Sequence, residues 1–543
     1  MANVKFNKKD FENEIKLSKE IEEKINLFGT NLESITEEEI EIEVFPNRPD
    51  LLSLQGFLRS LKAFIGKEKG LKKYKTKKPE LNYQVKIDSS VKQIRPYTIC
   101  AVVKNLSLNN KKIIEIIELQ EKLHATLGRN RKKAAIGIYP LDKIKFPIYY
   151  TTKKPSEIKF IPLEMNEELN GLEILQRHPK GRDYANLLEG KEKFPVFIDA
   201  NKKFLSMPPI INSKETGKIT ETTKEVFVEC TGFDKNVLNK ILNIIVTTLA
   251  DFNGTIYEME IISNEKEITP NLTPEKMDIS IENVNSLLGL SLKEKEVQKY
   301  LEKMGYDYNN KKVFVPPWRT DILHEVDLIE DIAIAYGYNN FIPEIPKVST
   351  IGSESKESMI ERKISEVLIG LGLIEISTYH LIKDEEDEKF KLGEKIEVKN
   401  SKTEYKSLRQ KLIIPSLRIL SENKDNEYPQ KIFEIGTVFS KDKRIQLESG
   451  IKENKNLIVS ISPGNFTEIK RILDYLMYSL NIKYDLSESY FQGFIKGRVG
   501  AIKINEKIIG YIGEVHPETL RNFNIKMPVS YLEISLEEIF KKL

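Results

Sequence analysis

Residues 315–340 read VPPWRTDILHEVDLIEDIAIAYGYNN. Two prolines break the chain before Trp318, the only tryptophan of the sequence. A helix is expected after this break. On it Asp327, Glu330 and Asp331 stand at i, i+3 and i+4, so they share one face, while Ile329, Ile332, Ala333 and Tyr336 form the apolar face. Asp321 lies before or at its first turn and can fold back toward the other acids. Three chemistries fit this spacing. The acids can be a solvated face with Lys and Arg neighbours. They can be a cation site, in which a few carboxylate oxygens and no nitrogen or sulfur donors would suit Mg2+. They can be a general acid–base pair, although no neighbouring residues suggest a substrate pocket.

The same pattern occurs earlier in weaker form. With Arg48 placed on Arg319, Asp50 falls on Asp321, Leu58 on Ile329, Leu61 on Ile332 and Gly66 on Gly337. Gly56, Arg59 and Ser60 stand where the second copy carries Asp327, Glu330 and Asp331. If the copies share a scaffold, the three helix acids are not needed to build it, which argues for a local task.

Around these copies lie 543 residues, enough for several domains. Charged residues make up 31% and the net charge is only +3, so composition neither demands nor excludes a nucleic-acid partner. Two cysteines and five scattered histidines point away from a disulfide framework or a zinc site and toward the cytoplasm. No apolar run reaches membrane length. Segments are expected at 1–84, 85–268, 269–345 and 346–543. The first ends in KEKGLKKYKTKK, residues 67–78, read as a solvated linker or as a tract that touches RNA phosphates. In the second, NKKIIEIIELQEKLHATLG reads as a helix closed by Gly128, and the basic GRNRKKAAIGIYP that follows could bind phosphate or be an ordinary helix end. FLSMPPIINS, residues 204–213, reads as a rigid extended segment at a pocket edge. ECTG, residues 229–232, ends a strand with a carboxylate and a hydroxyl on one face. There is no P-loop, no dinucleotide fingerprint and no GxSxG elbow.

Taken together, and in order, these stretches with NRPDLLSLQGFLRSLKAFIG, HPKGRDYANLL, SLRQKLIIPSLRILSEN, KIFEIGTVF and IGYIGEVHPETL resemble the beta subunit of phenylalanyl-tRNA synthetase in its archaeal and eukaryotic form. The resemblance covers nearly the whole chain. It implies an α+β multidomain protein: a small N-terminal α/β module, a mixed α/β editing module, a winged-helix-like metal module, and a C-terminal core like that of class II synthetases, with an antiparallel sheet and no catalytic residues. It implies Mg2+ bound by Asp321, Asp327, Glu330 and Asp331. It implies an alpha-subunit partner in an alpha2beta2 heterotetramer, tRNA(Phe) as the second partner, and no membrane. The expected activity is ligation of phenylalanine to tRNA, carried out on the alpha subunit with ATP, together with hydrolytic editing of Tyr-tRNA(Phe) in this chain. The editing candidates are Leu205, Asn212, Ser213, Glu229 and Thr231. The archaeal pattern has Asp at position 229 and Thr at position 233, where this chain has Glu229 and Phe233. The alternative is a scaffold that holds the alpha subunit and tRNA without editing.

Overall fold

The computed structural model describes residues 2–80, 82–345, 351–390, 395–399, 401–442 and 449–543. They form two compact units, residues 1–344 and 345–543.

The first unit contains one small fold twice. In the N-terminal copy, strand Glu39–Val44 lies between Ala2–Asn7 and Asn31–Ile35. Its alternating sequence EIEIEV buries Ile40, Ile42 and Val44 and leaves the glutamates outward. Helix Leu54–Phe64 follows. It is capped by Ser53, whose hydroxyl accepts the Gly56 N–H at 3.1 Å, and Gly66 turns away after it at φ +80°. The second copy repeats each step. Strand Lys312–Val315 lies between Glu275–Asp278 and Asp307–Asn309, helix Glu325–Tyr336 follows, and Gly337 turns away at φ +98°. Corresponding arginines grip corresponding aspartates side-on. Arg48 Nε and Nη2 donate to Asp50 at 2.9 Å each, and Arg319 Nε and Nη2 donate to Asp321 at 2.8 Å each. Even the helix position is shared: Arg48 Nη2 also reaches Ser60 Oγ at 3.4 Å, where Arg319 Nη2 reaches Asp331 Oδ2 at 2.8 Å.

Between the copies in sequence, two sheets pack face to face. A five-stranded sheet runs Thr76–Lys77, Thr255–Tyr257, Tyr97–Lys104, Val226–Gly232, Ala134–Pro140. A seven-stranded sheet has Gln84–Ile87 and Ile148–Lys153 at its centre and Phe204–Met207 with Ile211–Asn212 at one end. Strand alternation sorts Val226–Gly232 between two cores. Val226, Val228 and Cys230 pack against helices Asn110–Ala125 and Lys235–Asp251, whereas Phe227 joins Tyr83, Val85, Tyr139, Tyr150 and Phe197 between the sheets. Glu229 and Thr231 share the Phe227 face, so a carboxylate is built into an apolar interlayer.

Two expectations need correction. The helix before the basic run ends at Ala125 and is not closed by Gly128; Arg129, Asn130 and Arg131 instead form three successive left-handed residues, at φ +49°, +51° and +63°. The lysine run is a strap more than a solvated linker. Leu71 is buried, Lys72 pairs with Asp251 at 2.9 Å, Lys73 pairs with Asp307 at 2.9 Å, and Thr76–Lys77 adds an edge strand.

The second unit is a seven-stranded, mainly antiparallel sheet. Long strands Gln430–Lys441, Ile451–Ser462, Lys507–Val515 and Phe494–Ile504 surround Ser530–Ser535. Helices Lys356–Gly370 and Phe466–Ser479 fill one face, and Ile413–Glu422 lies on the other. Arg409 and Glu434, from the SLRQ and FEIG stretches, form a buried ion pair at 2.8 Å, and Arg409 Nε donates to Thr437 O at 2.8 Å. Both side chains are committed to the interior of this unit.

Candidate functional site

A cavity of about 610 Å3 opens beside the Val226–Gly232 strand. One wall comes from the end of helix Asn110–Ala125 and the strand Ala134–Pro140 opposite; the other is the bend Pro208–Asn212. Glu229 lines it and is 2% exposed. The Tyr139 hydroxyl lies 3.1 Å from Glu229 Oε1 and 3.2 Å from Asn212 Oδ1, and Oε2 has no partner. Burial pushes the Glu229 carboxyl up to about 8, outweighing the Tyr139 hydrogen bond and the Arg95 charge. At neutral pH it is mostly the protonated acid. It can then donate to Tyr139, which donates onward to Asn212, and its other oxygen is buried without a protein partner.

The strand opposite has to leave room for that carboxylate. Gly137 pairs with Glu229, and a Cβ there would stand 2.3 Å from Tyr139 Oη and 2.5 Å from Glu229 Oε1. Arg131 fastens the two walls. Its Nη1 donates to Ile210 O at 2.7 Å and Pro209 O at 3.3 Å, and its Nη2 to Glu121 Oε1 at 2.8 Å. Burial holds the His124 imidazole down to about 4. Its Nε2 accepts the Ile136 N–H at 2.8 Å, so the ring proton sits on Nδ1, facing Glu121. The His124 hydrogen bond and the Arg131 charge keep the Glu121 carboxyl well below the usual range. Lys180, Lys214 and Lys218 stand at the rim, where phosphates could be met.

Of the five editing candidates, Asn212 and Glu229 line the cavity. The other three support it from behind. Leu205 is buried in the core between the sheets, and its carbonyl accepts the Ser213 N–H at 2.7 Å. Ser213 is 3% exposed. The Thr231 hydroxyl accepts from Arg95 Nε at 3.0 Å. Sequence reading missed Tyr139, Gly137, Glu121 and His124. It read Arg131 as part of a basic run that could bind phosphate or be an ordinary helix end, whereas its guanidinium is a buried tie. No spacing rule announces Tyr139, but the alternation Gly137–Tyr139 beside a strand carrying Glu229 was a usable signal.

The four acids of the second copy line another cavity, of about 690 Å3, together with Asn26, Phe28, Phe45 and Arg48 of the first copy. Arg319 binds Asp321 and also Asp331, and the Tyr306 hydroxyl donates to Asp331. Although burial opposes it, the Arg319 charge lowers the Asp321 carboxyl. Asp327 Oδ2 accepts the N–H groups of Leu323 and His324 at 2.7 Å each and so caps the helix. Among the described residues, Glu330 has no ion-pair or hydrogen-bond partner. The donors are hard carboxylate oxygens, which suits Mg2+ in kind. The grouping is looser than a chelate: among the described residues no three His, Cys, Asp or Glu side chains stand close enough to hold a metal ion.

Comparison with known proteins names this arrangement. Residues 82–249 match the B3/4 domain, 277–338 the tRNA synthetase B5 domain, and 342–536 the phenylalanyl tRNA synthetase beta chain CLM domain. Fold and matches together define a subunit of an aminoacyl-tRNA synthetase. The chain is 38% identical over 535 residues to the phenylalanine–tRNA ligase beta subunit of Archaeoglobus fulgidus, covering 95% of this chain and 94% of that one. It is 41% identical over 506 residues to the Pyrococcus furiosus subunit, covering 91% and 90%. An N-terminal fragment of the Pyrococcus horikoshii beta subunit superposes with a TM-score of 0.59 at 38% identity, covering 62% of this chain and 99% of the fragment. This chain belongs to the family of phenylalanine–tRNA ligase beta subunits. Among the described residues no helix is long and apolar enough to cross a membrane.

Proposed function

We propose that this chain works in the cytoplasm as the beta subunit of an alpha2beta2 phenylalanine–tRNA ligase. The alpha subunit would attach phenylalanine to tRNA(Phe) with ATP, and the cavity beside Glu229 would hydrolyse Tyr-tRNA(Phe). The assignment follows four segments: an N-terminal module to residue 84, an editing module to 268, an acidic module to 345 and a synthetase-like core beyond. The observation that carries the editing reading is Glu229, a buried acid with one oxygen unpartnered in a cavity of ligand size.

The chemistry follows from that oxygen. An apolar phenylalanine pocket rejects a tyrosine hydroxyl only ~100-fold, whereas a site built to hydrogen-bond that hydroxyl rejects phenylalanine by roughly 10⁴-fold or more. A tyrosyl group in this cavity would meet Glu229 Oε2 with its hydroxyl. A phenylalanyl group would leave that oxygen unpaired. Asn212 and Tyr139 hold the Glu229 carboxyl in place, and the rim lysines favour the phosphates of a tRNA end. Hydrolysis would then use a positioned water rather than a side-chain nucleophile.

Mg2+ held by Asp321, Asp327, Glu330 and Asp331 would require these carboxylates to draw together, since no three of them stand close enough here, and it would supply positive charge to Asp327 and Glu330, the two that Arg319 does not reach. Its role on this reading is structural. The test of the editing assignment is the decay of Tyr-tRNA(Phe) and Phe-tRNA(Phe) with the native chain and Glu229→Ala, in complex with the alpha subunit. Equal decay of the tyrosyl ester by both proteins, with the complex intact, would remove Glu229 from the role and favour the scaffold alternative.

A further inference from the structure

The two copies of the small fold meet at a second, much smaller cavity of about 20 Å3, room for one water-sized body. Arg48, Arg59 and Arg319 line it, none more than 6% exposed, with Ser60, Lys72 and Trp318. Arg59 sits over Trp318, its guanidinium carbon 4.2 Å from the ring centre. Arg59 Nη1 donates to Tyr74 Oη at 2.9 Å and to Asp251 at 3.2 Å, while Nε and Nη2 have no acceptor. Arg319 spends Nε and Nη2 on Asp321 and Asp331, and Nη1 has no acceptor. Three buried guanidinium nitrogens, on two arginines that line this cavity, are therefore left without a partner.

Leaving such donors unpaired is costly, and more so for charged groups. The protein's own acceptors are committed elsewhere. Asp50 binds Arg48, and Asp251 is shared by Arg59, Lys72 and Tyr74. Asp321 and Asp331 lie on the far nitrogens of Arg319. Glu68 also lines the cavity, but its carboxylate faces Lys62 at 3.7 Å and is 42% exposed. Water fits such a place poorly. It has only two lone pairs for three donors.

We propose that this cavity binds one small monatomic anion, chloride, held by Arg59 Nε and Nη2 and Arg319 Nη1. The size excludes sulfate and phosphate. The ion would tie together helix Leu54–Phe64, the Asp251 end of helix Lys235–Asp251 and the Trp318–Arg319 turn, and it would offset the mutual repulsion of Arg48 and Arg319 across the seam. The site adjoins the acidic cavity, with which it shares Arg48, lies apart from the Glu229 cavity, and needs neither of the activities proposed above.

Two measurements on the full-length chain test it. Crystals grown in sodium chloride and measured at long wavelength should show an anomalous peak within hydrogen-bond distance of Arg59 and Arg319. Density there with no anomalous signal means water and overturns the proposal. In solution, unfolding followed by Trp318 fluorescence should shift to higher denaturant with log chloride concentration, because an ion that binds only the folded state stabilises it. Sodium methanesulfonate at equal ionic strength should not reproduce the shift, since that anion is too large. Arg59→Gln should abolish the chloride-specific part. Equal responses to the two salts in the native protein would contradict the assignment without recourse to any variant.

Discussion

Glu229→Gln is the most informative single substitution, because its effect on stability can be derived from burial alone. The native carboxyl titrates at about 8 and an unfolded glutamate near 4.5. Between those values the folded chain keeps a proton that the unfolded chain releases. Stability is therefore fully present below the unfolded value, falls as pH rises through the window, and levels off above about 8. The slope is at most about 1.4 kcal/mol per pH unit, and water entering from the open cavity reduces it, leaving roughly 2–4 kcal/mol between about pH 5 and 8. Gln has the same shape and the neutral hydrogen-bonding of the protonated acid, so it should fold and remove this slope. Trp318 is the only tryptophan and lies in the same compact unit, so urea unfolding read by its fluorescence reports the right transition. The native protein should lose stability from pH 5 to 8 relative to Glu229→Gln, with the curves meeting near pH 5. Parallel curves across the whole range would refute the buried neutral acid and, with it, the reasoning for an unpartnered oxygen.

Gly137→Ala should disturb the same site from the opposite strand: its Cβ would meet Tyr139 Oη at 2.3 Å and Glu229 Oε1 at 2.5 Å. A stability loss of ~1–3 kcal/mol and weaker clearance of the tyrosyl ester are expected, read by urea unfolding and ester hydrolysis. In the second unit, Arg409→Met would strand Glu434 in the interior, at a cost of about 3–5 kcal/mol measured by denaturation. Bound Mg2+ at a hundredfold excess over its dissociation constant would add about 2.7 kcal/mol to the first unit. Thermal unfolding should therefore drop on chelation in the native protein and not in Glu330→Gln combined with Asp327→Asn.

The sequence carried the repeat further than its few identities suggested. Arg48 and Asp50 align with Arg319 and Asp321 because each arginine must hold its own aspartate side-on to close the turn before a helix. The shared face of Asp327, Glu330 and Asp331 was legible from helical spacing, and all three line one cavity. Depth was not legible. Thr231 sits in the strand of Glu229, Leu205 in the strand paired with that of Asn212, and Ser213 directly after Asn212, but which residue reaches the cavity depends on how two sheets stack, a long-range property that alternation does not encode. The run of seven lysines in residues 67–78 misled for a similar reason: Asp251 and Asp307, far away in sequence, supply the partners that turn it into a strap. The end of helix Asn110–Ala125 escaped because three non-glycine residues adopt left-handed backbone where a glycine stop was expected.

The proposed editing role turns on which ester the Glu229 cavity would hydrolyse. Tyr-tRNA(Phe) and Phe-tRNA(Phe) should be incubated separately with the full-length chain in complex with the alpha subunit, and their decay rates compared. Rapid loss of the tyrosyl ester and near-background loss of the phenylalanyl ester are expected, with the difference removed in Glu229→Ala. Equal, slow decay of both esters by a complex that still charges tRNA(Phe) would contradict it.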